Sequence, residues 1–568
     1  MKNNKILVGV LGIALSFTAC KKDLDISNVN SPTPASAQNE NGILPFAQGT
    51  IYLNGFHNLK YSDGVYGRFW PGAMGFHELM GDVIGAEAAN AFMNQIGCPN
   101  RVTLDNGSVV LNPSQPNTQY ALLRQINNNA QSGSNTTFYE WAYMYNMIAA
   151  ANEILALADK TTFSGTGAAT KKATIQAWAY WWKGYAYSRI GSTYYAGLIQ
   201  NAGTSEAKTN GNYVTKEAII TEANSNFDKA VTALSAATSA TDYSATLGKL
   251  IPAFLQKGKG GILTIDMWRR NINTIKARNI LVNNLRSSMS SSQWSAILTL
   301  ANDGIRATDL IFTARSDANG DFLGTGISVA DKIGQAATTG STNTYKLSER
   351  WVQEFVAGDK RRDNNVITLA SVGLFNSDRG NSFNTRYSLK YGGNGAAGVI
   401  TWANNVIGAN EITIAGTYEE NELMKAEALI MTGQIDAGAA AIDAVRTYQG
   451  AGLPALGTGL TQAAAYEQLR RERRIALAFR GLSFYDARRW DIIAPNKART
   501  GVTVISSTGV VNTNASIVYG FLDYWDVPDN ELAYNPAAPF FINLSTPLLY
   551  TSNNRFIKLC FIMYPVVV

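Results

Sequence analysis

Apolar residues recur at three- and four-residue spacing over several long stretches of this chain, and polar, Gly/Asn/Ser-rich segments separate them. Residues 138–159 place Trp141, Tyr145, Ile148, Asn152 and Leu155 on one helical face. Residues 171–190 carry a second such pattern, with Gly191 placed to cap its C-terminal end. Residues 216–236 follow, with Ile219, Ile220, Ala223, Phe227, Ala230 and Leu234 in register. The spacing predicts further helices over 268–289, 291–305, 418–431, 435–448 and 463–479. Three intervening stretches, 42–135, 306–417 and 495–540, are too long to be simple connections. They are expected to carry short strands, capping structure and a binding surface.

The pair of helices flanking Gly433 sets the fold class. Ala426 and Gly438 are small, Leu429 and Ile442 are large, and Gly433 sits at the turn. Small positions let two helices approach and large ones fill the gap. The alternation resembles a degenerate tetratricopeptide unit. The expected fold is mainly α, with helix hairpins over 138–305 and 418–490, long irregular insertions and little β.

Residues 1–19 read as a leader. Lys2 and Lys5 precede a twelve-residue apolar run, residues 6–17. A helix of that length is too short for a bilayer core of about 30 Å. Thr18 and Ala19 precede Cys20, which resembles a lipobox with Phe17 in the usual Leu position. A thioether-linked lipid needs a thiol at the new N-terminus, and Cys20 supplies it. Two or more acyl chains are enough for lasting attachment. Residues 20–41 then form a lipidated end and a polar stalk containing Pro32 and Pro34. Residues 42–540 make one domain, and 541–568 an atypical apolar tail.

Composition narrows the chemistry. The 568 residues carry 46% hydrophobic and only 16% charged positions, so a core is available and global disorder is excluded. Two histidines and three cysteines cannot supply a zinc site of four cysteines or three histidines. Removing Lys2 and Lys5 lowers the net charge from +6 to about +4, which argues against nucleic acid. Seven arginines between 470 and 489 face only Glu472 and Asp486 nearby in sequence. We read them as bidentate pairs fixing the last helix to its neighbours.

Residues 472–490, ERRIALAFRGLSFYDARRW, resemble the C-terminal signature of the SusD/RagB family of surface lipoproteins. Ala476 and Arg480 stand where that family carries glutamates. Residues 418–429, the Gly358-Asp359-Lys360-Arg361 turn and residues 524–536 resemble further family segments in the same order. The resemblance implies a right-handed superhelix of tetratricopeptide hairpins. It also implies an outer-membrane lipoprotein facing the cell exterior, anchored through Cys20. Such a protein binds a glycan without catalysis and hands it to a SusC-like TonB-dependent transporter. No cofactor or metal is expected.

Sugars offer hydroxyls and an apolar C–H face, so their sites need flat rings beside polar side chains. Tyr61, Asp63, Tyr66, Arg68, Phe69 and Trp70 cluster in one Gly-rich loop, and Trp402 lies beside Asn404 and Asn405. These are the expected ligand-binding residues. Trp178, Trp181 and Trp182 sit at helical spacing and belong to the core. Weaker motifs are set aside. Gly393 to Gly398 match GxGxxG, but no helix pattern follows. Asp317, Asn319 and Asp321 have calcium-loop spacing, but Phe322 replaces the required Gly. His77-Glu78 opens like a zinc-protease helix, but Gly81 replaces the second His. Two other readings stay open at this point: a peptide-binding module, and a glycosidase with paired carboxylates.

Overall fold

Most of these helices begin where a hydroxyl or amide side chain precedes an apolar-periodic run. Asn135 accepts from the Thr137 amide and opens α1 (Thr136–Lys160). After α2 (Ala168–Thr193), Thr215 accepts from Ala218 and opens α3 (Lys216–Ala236). Ser239 caps α4 (Ala240–Leu250), and Thr264 caps α5 (Ile265–Val282). Ser290 and Gln293 form a reciprocal capping box at the start of α6 (Ser291–Asn302). Thr417 caps α7 (Tyr418–Met431), which turns into α8 (Ile435–Tyr448). Thr461 caps α9 (Gln462–Ala476), and α10 (Ser483–Arg489) closes the series. This is a computed structural model, and it describes residues 37–53, 75–86, 93–112, 116–203, 209–315, 334–335, 345–374, 384–390 and 411–538.

The helices stack in chain order. α2 packs between α1 and α3, α5 contacts α2 and α3, and α6 bridges α5 to α7. α7 then packs on α8 and α9. The α7–α8 turn is a Schellman motif: Gln434 N donates to Leu429 O at 2.8 Å and Gly433 N to Ile430 O at 3.2 Å. Gly433 has φ +84°, which glycine adopts without steric cost. A Cβ on Gly438 would meet Ile430 at 2.6 Å, so the small residue does permit the close approach. Gly191 differs from expectation. α2 runs through it to Thr193, and a Cβ there would meet Ile220 at 2.9 Å. Its role is close packing of α2 on α3, not capping. The helix expected over 268–289 also stops early, at Val282.

Trp178, Trp181 and Trp182 are buried at the centre of the helical layers. Trp181 lies 4.2 Å from the Phe312 ring and 4.6 Å from Trp182, centroid to centroid. Its Nε1 donates to Asn271 at 3.1 Å. One hydrophobic cluster runs from Ala37 to Val527.

The insertions hold more order than their composition suggests. Seven strands pair into one sheet in the order Val109–Leu111, Arg101–Thr103, Val511–Val518, Arg499–Ile505, Asn384–Lys390, Gly334–Gln335, with Val366–Leu374 also on Asn384–Lys390. Each of the three long stretches read as loops contributes. The closing segment is pinned to α2: Trp525 N donates to Thr193 O, and Tyr195 N donates to Trp525 O, both at 2.9 Å. Among the described residues no helix is long and apolar enough to cross a membrane.

Candidate functional site

Arg473, Arg474, Arg488 and Arg489 of the arginine-rich run are buried in a polar lattice. Arg489 donates to both Glu427 oxygens at 2.7 and 2.8 Å and to Asp486 at 2.6 Å. Arg473 reaches Asp486 at 3.0 Å. Arg361 bridges Asp359 and Glu472, and Arg446 also reaches Glu472, at 3.1 Å. Arg480, standing where a family glutamate is usual, pairs with Glu419 at 2.9 Å. Such bidentate pairs fix orientation as well as distance. The Gly358–Arg361 turn now has a reason. Gly358 has φ +85°, Asp359 caps the helix Lys360–Asn365, and Arg361 is thereby aimed at Glu472.

His77 and Glu78 are also structural. His77 Nε2 lies 2.9 Å from Glu140 and 3.2 Å from Arg189 Nη2 in a buried cluster. Burial holds the His77 pKa below its ordinary value, against the pull of Glu140. Glu78 accepts from the Gly481 amide at 2.8 Å, and burial pushes its carboxyl up to about 7. A Cβ on Gly81 would lie 2.2 Å from Ser483 Oγ, so no second histidine fits there. Among the described residues no His/Cys/Asp/Glu group is arranged to hold a metal.

One signature arginine builds something else. Arg488 donates to the carbonyls of Ser192 (2.8 Å), Val282 (2.8 Å) and Asp523 (3.0 Å). It thus ties the C-terminal ends of α2 and α5 to the closing segment. Its guanidinium sits 3.9 Å from the Tyr524 ring centroid, a cation–π contact. Two cavities, of about 440 and 380 Å³, open beside this junction and share Lys216, Asn283 and Asn284. Together they form one groove lined by amides from α5, α3 and α6, with Tyr120 and Tyr195 at the other end.

The residues expected to bind ligand are not among the described ones. Tyr61, Asp63, Tyr66, Arg68, Phe69, Trp70, Trp402 and Asn404 lie outside the described residues, as do Cys20, Asp317–Asp321 and Gly393–Gly398. Cys98 is buried, and Cys560 lies outside the described residues. Periodicity did signal the groove's helices. It did not signal that Asn283 would meet Tyr524, at 3.3 Å, because the two lie 241 residues apart.

Residues 287–537 match the sequence profile of the SusD family. It is this part of the chain, rather than its first half, that is similar to the SusD family. No curated protein sequence matches it. Solved structures similar to it include a SusD homologue from Bacteroides thetaiotaomicron (15% identity, TM-score 0.54, covering 89% of this chain and 98% of that one). A SusD-like carbohydrate-binding protein from Bacteroides vulgatus is also similar (12% identity, TM-score 0.53, 89% and 97%). At these identities the likeness shows the fold, which is mainly helical and SusD-like. The family match includes α9 and α10, so the Arg473–Asp486 and Arg489–Glu427 pairs belong to its SusD-family part.

Proposed function

We propose that this protein is a surface-exposed outer-membrane lipoprotein that binds a glycan and passes it to a SusC-like TonB-dependent transporter, without cutting it. The SusD-family match over residues 287–537 carries the reading. The leader and Cys20 support the anchor, since a thiol following Thr18-Ala19 is what lipid attachment requires. A neighbour of the same fold is described as carbohydrate-binding. The Tyr61–Trp70 cluster and Trp402 supply ring platforms and polar partners of the kind a sugar needs. The aromatic-rich helices α1 and α2 are spent on the core, which leaves platforms to come from loops.

Three measurements test it. Palmitate labelling in a Bacteroidetes-type host should mark the wild type and not Cys20→Ala. Affinity capture from outer membranes should return a large β-barrel. Calorimetry on a polysaccharide panel should give binding with no release of reducing ends. A cytosolic, unlabelled protein, or released reducing ends, would overturn the reading.

A further inference from the structure

We propose that the amide-and-tyrosine groove at the α2–α5 junction is a saccharide-binding site selective for uncharged sugars. This inference rests on the glycan-binding reading above and names a second place for the ligand, on the helical scaffold. Its polar groups are arranged for hydroxyls. Asn284 Nδ2 is spent on the Ile280 carbonyl at 2.7 Å, which leaves Oδ1 as an acceptor toward the groove. Asn279 is buried, and its Nδ2 donates to Ser188 and Asn224 at 2.9 and 3.0 Å. Its Oδ1 accepts no hydrogen bond. A buried acceptor without a donor costs about 1–3 kcal/mol, so a group that donates here is favoured. Asn224 uses its oxygen for Asn279, and Gln293 uses its oxygen for the Ser290 amide, leaving two amide nitrogens as donors. The lining therefore alternates donors and acceptors. A hydroxyl is both, and a sugar carries several.

The rings complete the match. Tyr120 and Tyr195 are half-buried in the groove wall, with a ring face and a phenol each. Ring faces suit the C–H side of a pyranose, and the phenols suit its hydroxyls.

Charge decides the class. The two cavities are lined by three basic and three acidic side chains. None of the basic ones is available to an anion. Arg489 is fully engaged by Glu427 and Asp486, and Arg488 by three carbonyls. Lys216 is paired with Glu217 and sits 4.6 Å from the Tyr524 ring. Asp491 is paired with Lys497 at 3.7 Å, so an acidic sugar entering here would meet chiefly the Asp523 carboxylate, with Lys216 and both arginines already engaged.

The test is calorimetry of the purified chain with maltohexaose, cellohexaose, mannohexaose, xylohexaose and hexagalacturonate, with hydroxyl-radical footprinting on each complex. At least one neutral hexaose should bind and protect Tyr120 and Tyr195, and hexagalacturonate should bind at least about tenfold more weakly. Asn284→Ala and Tyr195→Phe keep the fold and should each weaken binding about three- to tenfold. Binding that leaves both tyrosines unprotected and both variants unaffected would overturn the groove while leaving glycan binding intact. Equal protection by hexagalacturonate would overturn the charge argument. No binding by any hexaose would overturn both the groove and the glycan reading. So would protection of the tyrosines by peptides in place of sugars.

Discussion

The Arg489 lattice and the Asn284 groove lie side by side, share signature residues and are both polar, yet their chemistry is opposite. In the lattice buried charges meet their opposites at hydrogen-bond distance, as at Glu427–Arg489 and Asp359–Arg361–Glu472. In the groove the charges cancel and uncharged amides face the opening. The lattice uses polarity to fix geometry, and the groove offers polarity to something else. Arg488 belongs to both, because its donors are used up by carbonyls that shape the groove.

The sharpest way to break the contrast is to unpair the lattice. Glu427→Ala leaves Arg489 buried without its bidentate partner, and urea melts should show a loss of about 3–5 kcal/mol. The matching change in the groove, Asn284→Ala, should cost less than about 0.5 kcal/mol while weakening saccharide binding. Equal stability losses would erase the distinction.

A pH series probes two buried carboxyls of opposite behaviour. Burial pushes Glu78 up to about 7, so the native state holds its proton between the unfolded value of 4.5 and about 7. Stability should therefore fall as pH rises from about 4.5 to 7. Glu78→Gln should flatten that limb in thermal melts. Burial alone would raise Asp82, but Arg350, with Arg499 and Arg474, holds it well below the usual carboxylate range. Its contribution is present above the unfolded value of 3.8 and should be lost as pH falls below it. Smaller again is the cap of α9: Thr461→Ala should cost about 1 kcal/mol. Smallest is Lys276→Ala, which removes a surface pair with Asp228 and should shift stability by about 0.5 kcal/mol or less.

The helical half of this fold was legible because its information is local. The α3 and α7 ranges follow from capping hydroxyls and apolar spacing, with Thr215 and Thr417 marking their starts, and α8 follows from spacing and the Gly433 turn. Gly191 misled because a glycine near a helix end also permits close packing, and sequence does not separate the two uses. The sheet stayed hidden because its strands are short, its registers slip between Arg499 and Val502, and its partners lie far apart, as Ile517 does from Val102. The groove was illegible for the same reason: Asn283 and Tyr524 are hydrogen-bonded at 3.3 Å yet lie 241 residues apart. The arginine run itself was read correctly as structural, because so many cations in one helix pair need buried acids nearby.

The most direct test of the account is a crystal structure of this chain with the neutral hexaose it binds best. The account predicts saccharide density in the groove, stacked on Tyr195 and hydrogen-bonded to Asn284. Density confined to the Tyr61–Trp70 loop, with the groove unchanged, would contradict it.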